Sequence, residues 1–101
     1  MKLATYISTL KFTANGAQNI GESPKRAAAF TAAAKKLGVK VIHLYWTLGE
    51  FDGLILFEAP DDSTATSAML SLAAQGNVKT TTARAFGRAE IEKVIEMLPK
   101  R

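Results

Sequence analysis

Four segments with strand-forming composition alternate with helical segments along this chain, and their order constrains the fold more than any other feature. Residues 3–12 carry β-branched and aromatic side chains without glycine or proline, which is typical of a strand. Apolar residues at helical spacing, bounded by capping residues and glycines, indicate helices. Strands are predicted over 3–12, 39–48, 52–59 and 78–86, and helices over 24–37, 62–75 and 91–98, with a loop over 14–21.

This order, β-α-β-β-α-β-α, predicts an α+β fold. Its first six elements match the ferredoxin-like arrangement βαββαβ, in which a four-stranded antiparallel sheet carries two helices on one face. A chain of 101 residues has the size of one domain, so we expect residues 1–101 to form a single domain with an extra C-terminal helix.

Capping residues mark the ends of the two longer helices. Ser23 before Pro24 predicts a serine N-cap followed by proline in the first turn, and Gly38 supplies the left-handed residue beyond the helix end. Asp61 and Asp62 predict the cap of the second helix.

The strands are apolar on both faces, although two helices can cover only one. Side chains alternate between faces along a strand, so in the third strand Ile55 and Phe57 oppose Leu54 and Leu56. In the second strand, strict alternation groups Val39, Val41, His43 and Tyr45 on one face and Ile42, Leu44, Trp46 and Leu48 on the other. A sheet with one face in water would alternate apolar and polar residues instead. We therefore expect the second face to be covered.

A second copy of the chain is the predicted cover. The face measures about 19 Å by 23 Å, or roughly 440 Å² in projection, from strand spacing and rise, and we compare this with the ~800 Å² of accessible surface per partner in a standard interface. We expect a homodimer or a larger closed homo-oligomer, packed sheet to sheet, with Leu44 or Leu54 meeting the partner. Alternatively the C-terminal helix covers the face, although about ten residues make only ~15 Å of helix.

The composition excludes several classes of protein. Without cysteine there are no disulfides, catalytic thiols or thiolate metal sites. No apolar run approaches the ~20 residues of a membrane helix, and the N-terminus has no signal-peptide pattern, so we expect a cytoplasmic protein without membrane contact. The third strand lacks the basic and aromatic run with which RNA-recognition modules stack bases. We expect neither nucleic-acid binding nor a bound cofactor.

The segment between the second and third strands carries a recognisable signature. Residues 45–52, Tyr-Trp-Thr-Leu-Gly-Glu-Phe-Asp, resemble the Gly-x-Tyr-Asp hairpin of the GYD-domain family. The segments Ser23-Pro24-Lys25-Arg26, Leu37-Gly38-Val39 and Glu58-Ala59-Pro60-Asp61 are also similar to that family. Phe51 stands where the family carries tyrosine, so a role of that phenol hydroxyl is absent here. The resemblance implies a dimeric α/β barrel and leaves the activity open.

His43, Asp52 and Arg84 are the candidate catalytic residues. His43 is the single histidine and can act as a general base, although a strand histidine with a local hydrogen bond is the plainer interpretation. Asp52 either takes part in such chemistry or caps the hairpin turn. Arg84 either holds a carboxylate or phosphate, or pairs with Glu58 or an acid of a partner chain. One histidine without cysteine does not make a metal site, so none is predicted.

A cavity between sheet and helices is the predicted binding site for a small organic ligand. Its expected lining residues are Tyr6, His43, Trp46, Thr82 and Arg84. Alternatively, Trp46 is a core or interface residue. The first function hypothesis is a non-catalytic dimeric module that binds a small ligand or assembles further. The second is a cofactor-independent oxygenase or isomerase acting on a small aromatic substrate, by analogy with related barrels.

The start of the first long helix is a candidate anion site. Free backbone N–H groups lie there beside Ser23, Lys25 and Arg26. Gly16 and Gly21 have the spacing of a phosphate loop, but Glu22 occupies the position that lysine requires, which excludes that motif.

Overall fold

The structure, a computed structural model, describes residues 2–100 and contains one four-stranded sheet and four α-helices in that range. The strands pair antiparallel in the order β2-β3-β1-β4, as the ferredoxin-like prediction requires. The elements are β1 Ala4–Phe12, α1 Ala14–Gln18, α2 Ser23–Lys36, β2 Lys40–Trp46, β3 Gly53–Ala59, α3 Asp62–Ala74, β4 Val78–Ala85 and α4 Arg88–Glu96.

One face of the sheet packs against α2 and α3, and we call it the covered face. Its centre is Phe57 and Ile55 of β3, which are 0% and 1% exposed. Phe57 stacks on Tyr6 of β1 with ring centroids 5.3 Å apart. Phe30 of α2 and Met69 of α3 close over these side chains. This layer of aromatic and aliphatic groups removed from water is the main source of stability in the fold.

The opposite face, which we call the open face, has no cover within the described residues. Strand pairing places two rows of side chains at its centre. The rows are His43, Leu56, Ile7 and Ala83, and Tyr45, Leu54, Thr9 and Thr81. Ile7 remains 37% exposed and Tyr45 54% exposed.

The strict alternation predicted for β2 is wrong. The register with β3 shifts between Val41 and His43, so that Val41 pairs with Phe57 and Leu44 pairs with Ile55. Such a bulge inserts one residue and reverses the faces beyond it. Leu44 therefore lies on the covered face rather than toward a partner, and His43 shares its face with Tyr45 but not with Val41.

The predicted loop over 14–21 is also wrong, because it contains α1 and a 3₁₀ turn at Ile20–Glu22. The Thr13 hydroxyl caps α1 by accepting from the Gly16 N–H at 3.1 Å. Gly16 packs so closely on the β4 side that an added Cβ would lie 1.9 Å from the Asn77 carbonyl oxygen. Tertiary contact therefore overrides the turn-forming composition of this segment.

The helix ends follow the predicted caps with one exception. Gly38 and Gly76 adopt positive φ beyond α2 and α3, and the Asp61 carboxylate accepts from the Thr64 N–H at 2.8 Å at the start of α3. Ser23, predicted as the N-cap of α2, lies inside the helix, and Glu22 precedes it without a side-chain cap. The Ser23 hydroxyl has another partner, described below.

The C-terminal helix α4 does not cover the open face. Its start is fixed because Gly87 N–H donates to Glu90 at 3.1 Å. Its apolar residues Ile91, Val94 and Ile95, and Leu98 just beyond its end, are 40–63% exposed. The possibility that this helix shields the sheet of its own chain is therefore excluded for the described residues.

Candidate functional site

A groove runs between α3 and the β1–β4 side of the covered face, with a volume of about 410 Å³. Its walls combine hydroxyl, carboxylate and guanidinium groups with the apolar surface of α3. The lining residues are Tyr6, Asp62, Ala65, Thr66, Met69, Leu70, Thr80, Thr82 and Arg84. We call it the β4 groove.

The Tyr6 hydroxyl donates to Asp62 Oδ1 at 2.5 Å across one end of the β4 groove. Tyr6 is 4% exposed, and burial, followed by the hydrogen bond to the Asp62 carboxylate, raises the pKa of the Tyr6 phenol to about 12. The phenol therefore stays protonated near neutral pH and acts there as a fixed hydrogen-bond donor.

Arg84, the strand partner of Tyr6 on β4, is held by three sets of contacts at the same end of the groove. Its guanidinium donates to the backbone oxygens of Thr5, at 3.2 Å, and of Ala85. Its Nη2 pairs with Glu90 of α4 at 3.1 Å, where the sequence suggested Glu58 or a partner acid. The guanidinium also lies over the rings of Phe86 and Tyr6, at 4.6 Å and 5.7 Å from their centroids. Arg84 thus links β4, the groove and the start of α4.

Thr82 faces the same groove, and its hydroxyl donates to the fully buried Ser8 hydroxyl at 3.0 Å. Three of the five predicted ligand residues, Tyr6, Thr82 and Arg84, are therefore brought together.

The sequence argument missed Asp62, which it assigned only to a helix cap. Its position three residues after the end of β3, the strand that pairs with the Tyr6-bearing β1, was the available signal.

A second, smaller cavity of about 50 Å³ lies at the opposite end of the helical layer, where α2 begins and α3 ends. We call it the Trp46 cavity. The Trp46 indole N–H donates to the Ser23 hydroxyl at 2.9 Å, which explains why Ser23 does not cap α2. Arg26 of α2 also lines this cavity, whereas Lys25 is exposed. Ser23 and Arg26, two of the three residues of the predicted anion site, therefore line this cavity.

Asp52 joins the hairpin to the centre of the sheet. Its carboxylate accepts from the Phe12 N–H at 2.8 Å, and its own N–H donates to the Leu10 carbonyl at 2.7 Å. The turn closes through the Thr47 hydroxyl, which donates to the Phe51 carbonyl at 2.6 Å. Phe51 is partly buried. These contacts support the interpretation of Asp52 as a turn-fixing residue.

His43 lies outside both cavities. It is exposed on the open face and stacks on Tyr45, with ring centroids 5.7 Å apart. The four residues of the enzyme hypothesis, Tyr6, His43, Trp46 and Arg84, therefore occupy three separate places.

Among residues 2–100, no group of three or more His, Asp or Glu side chains is arranged to hold a metal ion. None of the helices described there has the length and apolarity to cross a bilayer.

The family model of the GYD domain matches residues 6–95 of this chain. This chain belongs to the GYD-domain family. The match confirms the resemblance read from the hairpin at residues 45–52, even with phenylalanine at position 51.

Two known proteins are similar to this GYD-domain protein, one in sequence and one in fold. It is 33% identical over 90 residues to the "Glutamine synthetase and cystathionine beta-lyase binding protein" of Thermus thermophilus, covering 88% of this chain and 95% of the relative. It also resembles the crystal structure of MtbAldR, with a TM-score of 0.61 and 15% identity. That match covers 85% of this chain but only 55% of MtbAldR, so the chain spans about half the length of that protein. At this identity the likeness shows the fold alone, and it agrees with the predicted fold class.

Proposed function

We propose that this GYD-domain protein is a non-catalytic binding module that closes as a homodimer, or a larger homo-oligomer, across its open face. The apolar centre of that face carries the proposal, since a single chain leaves Ile7 and Tyr45 37% and 54% exposed. Contiguous apolar patches of a few hundred Å² on small proteins mark interaction sites.

The distribution of charge on the open face supports pairing with a second copy. The two central rows contain no Lys, Arg, Asp or Glu. A copy related by a two-fold axis would meet the same uncharged surface. Lys40 and Glu58 are paired with each other in the next row. An apolar centre with charged residues outside it is the usual anatomy of an interface.

The relative from Thermus thermophilus supports a binding role rather than catalysis, because its name states that it binds two enzymes. We propose that this chain, once paired, also binds another enzyme. Glutamine synthetase is the first partner to test.

Sedimentation at micromolar concentration tests the pairing. We expect a mass of about twice 10.8 kDa or more for the wild type, and a monomer for Leu54→Asp, which places a carboxylate at the centre of the open face. Ser67→Asp, on the exposed side of α3, adds the same charge away from that face and should leave the mass unchanged. A wild-type monomer throughout the micromolar range would refute the pairing.

Biolayer interferometry tests the proposed binding of another enzyme. It uses purified glutamine synthetase and cystathionine β-lyase from the organism to which this chain belongs. Saturable binding of either enzyme by the wild type is expected. Absence of binding to both would reject the enzyme-binding role while leaving the pairing intact, because the two measurements are independent.

A small ligand in the β4 groove is the second candidate function. It is favoured by one observation, the convergence of Tyr6, Asp62, Thr82 and Arg84 on a space of about 410 Å³. The oxygenase or isomerase hypothesis receives less support, because His43, the proposed base, lies on the other face of the sheet. A thermal-shift screen of small aromatic compounds against wild type and Arg84→Gln tests this candidate.

A further inference from the structure

The C-terminal helix α4 carries an apolar stripe that its own chain leaves uncovered. The stripe is Ile91, Val94 and Ile95 with Leu98 just beyond the helix, and these residues are 40–63% exposed. No residue of α4 is buried. The chain has a radius of gyration of 15.3 Å and a longest dimension of 55 Å, against about 13 Å for the radius of a compact chain of this length. An apolar helix face outside the core of an elongated molecule marks an interaction surface.

The start of α4 is nevertheless held in a defined position. Glu90 in its first turn pairs with Arg84 of β4 at 3.1 Å, and its carboxylate also accepts from the Gly87 N–H at 3.1 Å. The helix therefore leaves the end of β4 in a fixed direction, which lowers the entropy lost when its stripe meets a partner surface.

Strand pairing shows where on the sheet α4 begins. Ala85, the last residue of β4, is opposite Thr5, which is opposite Glu58, which in turn is opposite Lys40. Lys40 is the first residue of β2. The helix thus begins at the end of the sheet where β2 starts, but at the other edge, because β2 and β4 are the two outer strands.

The beginning of β2 is a second uncovered apolar surface, which we call the β2 margin. It consists of Leu37 and Ile42, which are 48% and 36% exposed, with the exposed Lys40 between them. Among residues 2–100, neither Lys40 nor Glu96 at the end of α4 belongs to a salt bridge. The two surfaces therefore match in apolar character and carry opposite unpaired charges.

We propose that the stripe of α4 packs against the β2 margin of a second copy, so that two paired copies exchange their C-terminal helices. This inference rests on the pairing across the open face proposed above. A two-fold axis that runs along the strands between two facing sheets carries β4 of one copy over β2 of the other and keeps the same strand ends together. Each α4 then emerges beside the partner's Lys40.

An axis that runs across the strands leads to a different contact. It would bring α4 to the opposite end of the partner's β4, where Gly76, Asn77 and Lys79 offer a polar surface. An apolar stripe gains nothing there, which favours the axis along the strands. Helix exchange also extends the interface beyond the sheet face, whose roughly 440 Å² in projection is modest beside the ~800 Å² of accessible surface per partner in a standard interface.

Cross-linking between two chains tests the contact, because the sequence contains no cysteine. An Ile95→Cys chain with a mass tag is mixed with an untagged Ile42→Cys chain, left to exchange subunits, and treated with a bismaleimide that spans about 8–10 Å, the spacing of packed helices. A product with the summed mass of the two chains is expected. Lys79→Cys replaces Ile42→Cys in the matched control and should give at least about tenfold less product, because it lies where the other axis would bring α4.

The outcomes separate helix exchange from pairing itself. A dimer in sedimentation that gives no Ile95–Ile42 product, or gives more product with Lys79→Cys, would overturn the exchange and leave the pairing intact. A wild-type monomer would reject the pairing and the exchange with it.

A charge placed in the stripe provides a second measurement. Ile95→Asp should raise the dissociation constant of the dimer at least about tenfold, because it would bury an unpaired carboxylate. Ala89→Asp adds the same charge on the side of α4 away from the stripe, at an exposed position, and should stay within about twofold of the wild type. Far-UV circular dichroism checks that both variants fold. Equal dissociation constants for the two folded variants would contradict the proposal.

Discussion

β3 contributes alternate residues to both faces of the sheet, and the two sets differ in exposure. Ile55 and Phe57 on the covered face are 1% and 0% exposed, whereas Leu54 and Leu56 on the open face are only partly buried. Both sets are strongly apolar. The difference arises because α2 and α3 lie on one side of the sheet only. The apolar side chains of the open face therefore have no helix packed against them. The comparison teaches that this chain stabilises itself with one face and has the other available for a partner.

The largest difference between the faces is expected from truncating one side chain on each. Phe57→Ala opens a cavity in the covered layer and should lower the free energy of unfolding by ~3–5 kcal/mol. Leu56→Ala, one residue earlier on the open face, should cost less in a dilute monomer, and its effect should grow with protein concentration if copies pair. Urea denaturation followed by circular dichroism measures both. Equal losses at every concentration would remove the distinction between the faces.

A smaller effect is expected from removing one hydroxyl from each face. Tyr6→Phe deletes the donor to Asp62 on the covered face and should cost ~1–2 kcal/mol. Tyr45→Phe, at a residue of the open face that is 54% exposed, should be close to neutral. Chemical denaturation of the two variants side by side compares them.

The Tyr6 hydroxyl also makes stability depend on pH in a defined window. Its pKa is raised in the folded protein from 10.0 to about 12, so the folded state holds this proton more tightly than the unfolded one. The contribution is complete below pH 10 and is lost as the pH rises through about 12. Tyr6→Phe should show a shallower loss of melting temperature over that range, and identical slopes would contradict the assignment.

The smallest effect is expected at the start of α4. The Gly87 N–H, and then Arg84, lower the pKa of the Glu90 carboxyl from its ordinary 4.5. Its contribution to stability is therefore present above pH 4.5 and is lost as the pH falls through the lowered value. Glu90→Gln should lose less melting temperature on acidification than the wild type. Glu92→Gln, whose pair with Arg88 is a surface i,i+4 contact at 3.6 Å, should follow the wild-type curve.

Much of the fold was predictable because the decisive signals are local. Strand composition, the proline-containing start of α2 and the glycines beyond α2 and α3 act within a few residues, and they located seven of the elements. The α1 segment was missed because its helix depends on packing of Gly16 against Asn77, some sixty residues away in the chain. Local turn preferences do not register such a contact.

The candidate sites were less predictable, and β2 shows why. The prediction assumed strict alternation along an unbroken strand. It therefore assigned Leu44 to the wrong face, because the bulge between Val41 and His43 reverses the faces beyond it. Tyr6, Thr82 and Arg84 were grouped correctly because β1 and β4 pair without a shift. His43 and Trp46 were assigned to the same cavity, although residues three apart on a strand point to opposite faces, and the structure places them on opposite sides of the sheet.

The sequence by itself determined the order of the four strands and of α2, α3 and α4, the apolar character of both faces of the sheet and the family, because propensity, alternation and the hairpin signature are local features of neighbouring residues. The tertiary structure alone decided that Ser23 binds Trp46 instead of capping α2, that Arg84 pairs with Glu90, and that one buried nitrogen of Arg26 has no partner among residues 2–100. The partners in such contacts come from different elements, and only packing fixes which polar groups meet.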